Sequence, residues 1–424
     1  MNLKRSFVLF VSLLFLNLLS AEGKILAIED AVRLAKENNI SVKTAENDLD
    51  SLAVQSKYSW NSVSPAAKLD GKFVDDIDDS TSLSLSGAVS LSLKTNLYSE
   101  IKGAKLNYEK GLLTYSEAVR QIELSVRKKF YNLIYQKENL VLQNRSLETS
   151  RAQYLNNEEK FKNGKISELD AFTSRVNYES KKPVVESAEI NFQNDLATFK
   201  QLLGIPQETE IALDGSLDDF LNLKEISFGL LPKVDEPAPD VKSAEYDVEI
   251  AKNSLLNLRF SAYAPVITGS YSYGKSKKSM QDDWMTTNQL SVGVSVPLDG
   301  ILPWSSSAVK IKKQKNELDT AEKVLEDAKT TVAVQTESYI RKINQAVKQL
   351  DSLKSTEKLA EQTYKMTLAA YNYGKTDFLS LQNANDSVLS AGVNLKSQAY
   401  TLISTILDLE SVLGLEFGTL ETKK

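Results

Sequence analysis

The 424-residue chain contains no cysteine and no histidine. It therefore cannot build a Ser-His-Asp or Cys-His nucleophile, a thiolate or imidazole metal site, or a histidine general base. Disulfides are excluded, and so is a lipid anchor on an N-terminal cysteine. Carboxylates, Lys, Tyr and Ser are what remain for chemistry. Glycine and proline are scarce, at 17 and 9 residues, so little punctuates the chain. Charged residues make up 25% and apolar ones 42%, a balance that suits an element-rich chain and argues against wholesale disorder. Beyond the N-terminus no long apolar run occurs, so no helical membrane span is expected there.

The one apolar run, Phe7 to Leu19, follows Lys4 and Arg5 and precedes the small pair Ser20-Ala21. Residues 1–21 read as a secretory signal. An uncleaved anchor is the competing reading, but the run is short for a span of ~20 residues. Removing the signal takes away two positive charges and no negative ones, moving the net charge from −5 to −7. A mildly acidic exported chain without a basic stripe is a poor nucleic-acid binder.

The chain repeats itself. SVKTAENDLD (Ser41–Asp50) matches DVKSAEYDVE (Asp240–Glu249), and Tyr154, Gly164-Lys165 and Leu203-Gly204 recur as Tyr364, Gly374-Lys375 and Leu413-Gly414. The plan is a signal (1–21), a first repeat (22–204), a linker (205–239), a second repeat (240–414) and a C-terminal tail (415–424). The linker carries Pro206, Pro232, Pro237 and Pro239. Each half opens with a helix, Ile28–Asn61 or Asp240–Tyr263, ended by Pro65 or Pro265. Two strand-like segments follow: Lys68–Val74 with Thr81–Leu93, and Val266–Tyr273 with Gln289–Val296. A very long helix, a turn at Gly164 or Gly374, and a return helix complete the half.

Residues 112–163 and 304–373 are 52 and 70 consecutive residues without Gly or Pro. At ~1.5 Å per residue the longer stretch reaches ~105 Å. From Leu318, Ala321, Leu325, Ala328 and Val332 through to Tyr371, apolar residues recur mostly in steps of three and four. That heptad spacing keeps a seam against a partner helix.

The strand segments alternate instead. Leu83, Leu85, Val89, Leu91 and Leu93 interleave with serines, and Leu290, Val292, Val294 and Val296 with Ser291, Gly293 and Ser295. Such alternation fits a transmembrane β-barrel strand and also a half-buried sheet in an ordinary domain. Tyr58, Trp60, Phe73, Tyr263, Tyr271, Tyr273, Trp284 and Trp304 lie where interfacial girdles would fall, favouring the barrel. Four strands per chain cannot close a barrel, and open edges are not tolerated in lipid. Two chains give eight strands and no room for a pore; three give twelve, which leave one. A homotrimer follows from this geometry, with a dimer and a tetramer left open.

Three groups of residues carry a family resemblance. They are Ile28-Glu29-Asp30-Ala31-Val32-Arg33-Leu34-Ala35 with Asn38-Asn39, Ser295-Val296-Pro297-Leu298-Asp299-Gly300, and the paired Tyr154…Gly164 and Tyr364…Gly374. Together they resemble the TolC-like outer-membrane efflux proteins over nearly the whole mature chain. The sequence departs from the family pattern at Ile40, where proline is usual, and at Leu93–Leu97, which lacks Pro and Gly. The resemblance implies a mainly α fold with β: long antiparallel helical hairpins forming a periplasmic α-barrel, and four strands per protomer in a trimeric twelve-strand barrel set in outer-membrane lipid. A mixed α/β belt would draw on 205–239 and the tail. It implies an exit duct of a tripartite efflux or type I secretion system, without cofactor, metal or enzymatic chemistry. A periplasmic adaptor and an inner-membrane pump would be its partners, contacted at hairpin tips holding Gly164, Lys165, Gly374 and Lys375. The implied periplasmic gate would join Asp170 to Tyr371 by a hydrogen bond across two hairpins. Thr376 stands where the family has arginine, and Ser380 and Asn383 stand where some members carry an aspartate ring. The constriction would then be polar but uncharged, with weaker divalent-cation block.

Two rivals fit less of the sequence. An exported coiled-coil spacer or periplasmic adaptor accounts for the helices but not for the serine-alternating strands. A glycosidase with paired carboxylates lacks a supporting strand-loop organisation. Asp75, Asp76, Asp78 and Asp79 form an acidic loop without the glycine and terminal glutamate of a dedicated calcium loop. Lys275, Lys277 and Lys278 make its counterpart basic.

Overall fold

The computed structural model describes residues 24–76, 80–221, 237–279 and 282–420. The expected signal, Asp78 and Asp79, and linker residues 222–236 lie outside them. In chain order the elements are β1 (Lys24–Leu26), α1 (Ile28–Asn38), α2 (Ile40–Lys57), β2 (Ala66–Asp76), β3 (Ser80–Lys94), α3 (Leu97–Lys162), α4 (Glu168–Leu203), β4 (Ile211–Leu213), α5 (Pro239–Tyr263), β5 (Val266–Lys277), β6 (Met285–Ser295), α6 (Ser306–Asn372) and α7 (Phe378–Leu413). The fold is mainly α with a smaller β part. Helices α3 and α6 have 66 and 67 residues, and α4 and α7 have 36 each. Among the described residues no helix is long and apolar enough to cross a membrane.

Two boundaries differ from expectation. The single helix expected over Ile28–Asn61 is two helices, broken at Asn39, with a 3-10 turn over Ser59–Val63. The Asn39 amide donates to the Leu202 carbonyl at 2.7 Å and its carbonyl oxygen accepts from the Ser41 N–H at 2.8 Å. The side chain thus caps two segments, and the backbone at Asn39 is extended. The first long helix starts at Leu97 and passes through Gly111. There a Cβ would meet the Leu52 side chain at 2.5 Å, so glycine is kept for close packing against α2.

The chain forms two compact units. One comprises Thr44–Glu117 and Glu236–Val334 and contains an antiparallel sheet of order β2-β3-β5-β6. Directly paired residues share a face, so the register sorts the side chains. Leu69, Phe73, Leu83, Leu85, Val89, Tyr271, Leu290 and Val292 fall on one face, and the alternating serines on the other. Ser270 and Ser291 share a 2.7 Å hydrogen bond on the serine face. Leu290 and Val292 are 75% and 76% exposed on the apolar face. β2 and β6 are the sheet's edges, and the four strands do not close on themselves. Where the sheet gives way to helices, the Asn96 amide donates to Asn257 at 2.8 Å and the Asn253 amide to the Ser99 carbonyl at 2.8 Å, tying α3 to α5.

The other unit comprises Met1–Lys43, Ala118–Asp235 and Gln335–Lys424. Its core packs Phe130, Leu133, Phe199, Leu203, Ile343, Leu350, Leu402 and Ile406, all buried, each contributing roughly 1.5–3 kcal/mol of apolar burial. β1 pairs in parallel with β4, a three-residue pairing that the sequence did not announce. Lys396 bridges Glu138 at 2.9 Å and Asp218 at 2.6 Å, pinning the segment after β4. The described part of the tail, to Leu420, is held by the buried Glu410 carboxylate, which accepts from the Gly418 and Leu420 N–H groups at 3.0 and 2.7 Å; residues 421–424 lie outside the described residues. Burial pushes the Glu410 carboxyl above its usual range, against the pull of those N–H groups.

Candidate functional site: the two hairpin tips

Both tips are built from the same local chemistry. α3 ends in a turn in which the Gly164 N–H donates to the Phe161 carbonyl and the Lys165 N–H to the Lys160 carbonyl, each at 2.8 Å. α6 ends the same way, with Gly374 donating to Tyr371 at 3.0 Å and Lys375 to Ala370 at 2.9 Å. Glycine takes φ of +66° and +67° at these positions, as this left-handed cap requires. The return helices are capped in parallel too. Ser167 accepts from the Asp170 N–H at 3.1 Å, and Asp377 from the Ser380 N–H at 2.8 Å. Hydrogen bonds from Ser380 hold the Asp377 carboxyl below its usual range.

Gly164, Lys165, Gly374 and Lys375 are exposed and Thr376 half-buried. Asp170 and Tyr371 stand close enough for charge to couple them, but they are not hydrogen-bonded to each other. The Tyr371 hydroxyl donates to Asn157 Oδ1 at 2.6 Å, and Asp170 accepts from the Ser167 hydroxyl at 2.8 Å. Burial pushes the Tyr371 phenol above its usual range; the Asn157 bond works against that and the Asp170 charge with it. The Tyr371 ring also lies 4.6 Å from the Lys160 ammonium and packs edge-on against buried Phe378 at 6.0 Å. Tyr371 thereby ties α6 to α3 and α7. Ser380 and Asn383 are exposed on α7, on the face away from buried Leu381, Ala384 and Asn385.

Asn157 was missed in the sequence, yet a signal existed. Ser146, Ser150, Gln153 and Asn157 follow one another at steps of four, three and four, the seam spacing, and all four are buried. Near the tips the helix core is thus polar. Asn177 and Asn385 reach Ser150 and Ser146, each at 3.4 Å, and Lys181 bridges Ser146 at 2.8 Å and Asp386 at 2.7 Å. Gln153 Oε1 and Asn157 Nδ2 are buried without partners, so this core is less well satisfied than the apolar one. Leu169, Phe172 and Val176 form an exposed apolar stripe on α4. Among the described residues no cluster of three or more carboxylates could hold a metal, and Asp75 accepts a 3.0 Å bond from Thr81.

Comparisons with known proteins agree with this architecture. The family model for outer membrane efflux proteins matches residues 230–415. The outer membrane protein TolC of Vibrio cholerae is 19% identical over 306 residues, covering 71% of this chain and 69% of that protein. In fold the chain is similar to the CmeC outer membrane channel of Campylobacter jejuni, with a TM-score of 0.77 at 18% identity over 91% of this chain and 85% of that one. It is likewise similar to the outer membrane protein VceC of Vibrio cholerae, with a TM-score of 0.73 at 14% identity over 92% and 96%.

Proposed function

We propose that this chain, a TolC-like outer-membrane efflux protein, is the exit duct of an export machine that passes substrates to the exterior without chemistry on them. Three copies supply twelve strands to one barrel in the outer membrane, and their helices line a passage in the periplasm. An inner-membrane pump delivers the cargo and a periplasmic adaptor docks at the hairpin tips. The family is one of channels, and the absence of histidine and cysteine accords with a passive wall.

The sheet carries this reading. It has an exposed apolar face, a serine face and two unpaired edges, and an exported spacer has no use for such a sheet. In lipid every backbone polar group needs a partner, so β6 of one copy pairs with β2 of the next. The tips serve as the gate: Tyr371 and Asn157 hold the hairpins together, Asp170 adds charge beside them, and Ser380 and Asn383 face the constriction with Thr376 beside the turn. Gly164-Lys165 and Gly374-Lys375 are offered to the adaptor.

The test is a deletion strain with fractionation of the wild type. The protein is expected in the outer membrane, released only by detergent, and its loss is expected to sensitise cells to dyes, detergents or antibiotics or to retain an exported protein. Release by osmotic shock, or a deletion with neither phenotype, contradicts the proposal.

A further inference from the structure

We infer that the outward end of the sheet binds the phosphates of outer-leaflet lipid headgroups through Lys275, Lys277 and Lys278 beside Trp284. This rests on the barrel reading above.

The strand register carries the inference. Lys275 pairs with Leu85 and Lys277 with Leu83 on β3, and Lys275 pairs with Thr286 on β6. Paired residues share a face, so both lysines stand with Leu83, Leu85, Tyr271, Tyr273 and Leu290 and not with the serines. They lie on the wall that meets lipid, not on the wall of the pore. The unit's helices leave the sheet at the Lys94, Val266 and Ser295 end, which makes the lysine end the outward one. Lys275 is eight residues beyond Ile267, about 27 Å of strand. With a tilt of ~40° that is a rise of ~21 Å, and Lys277, two residues further, rises ~26 Å, so the two lysines bracket the upper rim of an apolar band ~25 Å tall.

A cation on the lipid wall is costly unless its head finds an anion at the interface. Among the described residues no carboxylate pairs with any of the three: Asp75 is engaged by Thr81, and Asp282 and Asp283, on the same loop, make no ion pair with them. The Lys277 ammonium instead sits 5.4 Å from the Trp284 ring centre, which fixes it beside an interfacial indole. Three cations beside two tyrosines and a tryptophan, at headgroup depth, suit a phosphorylated glycolipid whose acyl chains run down the Leu–Tyr face.

The experiment reconstitutes the purified full chain in phosphatidylcholine nanodiscs doped with either bis-phosphorylated lipid A or the same lipid stripped of phosphate. Co-retained lipid is read by native mass spectrometry. Wild type is expected to prefer the phosphorylated form, and Lys275→Ala with Lys277→Ala to lose the preference by roughly fivefold per lysine. Lys275→Arg with Lys277→Arg is expected to keep it, which separates charge from fold. Millimolar inorganic phosphate is expected not to displace the lipid; displacement would mean a free-anion site and overturn the lipid assignment. Equal retention by wild type and the alanine variant, or of both lipid forms, also overturns it. Wild type that fails to enter the discs contradicts the barrel itself and the lipid site with it, whereas wild type that enters but shows no lipid preference overturns the lipid site alone.

Discussion

Tyr371 shows how a single side chain is placed by three helices at once. Its hydroxyl is given to buried Asn157, so Tyr371→Phe leaves a buried oxygen unpaired, at a cost of about 1–3 kcal/mol. Hydrogen exchange at the hairpin tips should accelerate in this variant while the Phe130–Phe199 core stays protected; equal exchange in both regions contradicts the tie. Adding Asp170→Ala should raise the closed-state conductance of purified oligomers. Ser380→Asp with Asn383→Asp should create divalent-cation block, and no change would remove these residues from the constriction. Charge at depth makes a pH prediction. Burial pushes the Glu123 carboxyl up, but hydrogen bonds from Lys36 and Arg127 outweigh it and hold the value below the usual range; the Lys129 bond does the same for Asp195 against burial. Folded values below the unfolded ones stabilise the protein above the ordinary carboxylate range, and that contribution is lost as pH falls through the folded values. Resistance to thermal unfolding in detergent should therefore fall as pH is lowered from neutrality through the carboxylate range. Glu123→Gln should cost about 1 kcal/mol at neutral pH, because Arg127 keeps Glu29 and Lys36 is well exposed, and flatten the acid loss. A steeper acid loss in the variant would contradict the assignment. The sequence showed Tyr371 and Asp170 but not their partners, although Ser167-Glu168-Leu169-Asp170 is a readable capping pattern.

Among the elements, legibility followed the length of the signal. Runs without Gly or Pro located α3 and α6, and serine alternation located β3 and β6, because each pattern extends over many residues. The three-residue β1 and β4 are too short to show any period. The break at Asn39 depends on a carbonyl at Leu202, remote in sequence, and no local propensity encodes it. Glycine at helix ends illustrates the same divide. Gly374 and Gly204 share a left-handed backbone, with φ of +67° and +68°, but a Cβ at 374 would meet nothing while one at 204 would meet the Asn38 backbone and side chain at 2.8 Å. Gly374→Ala should cost only the conformational strain of about 1–2 kcal/mol. Gly204→Ala should cost more, since the Asn38 backbone cannot swing aside. Denaturant titration in detergent checks the order, and equal losses would contradict the packing argument.

At the scale of the whole molecule, one chain leaves edges that it cannot satisfy. The sheet ends at β2 and β6, and the exposed Leu169–Phe172–Val176 stripe on α4 also awaits a neighbour. The native chain has no cysteine, so engineered pairs report without background. One cysteine in β2 and one in β6 should cross-link copies at alternate positions along the strands, and the covalent ladder should stop at three. A ladder that stops at two or runs on past three contradicts the trimer. The four-strand count was readable from sequence, whereas the joining of both hairpins through β3 and β5 into one sheet is a long-range pairing that alternation does not encode. Conduction by the purified wild-type protein added to one side of a planar lipid bilayer tests the duct most directly. Discrete, uniform conductance steps from detergent-resistant oligomers are expected; a protein that binds the bilayer or stays in solution without ever producing a step would contradict the duct.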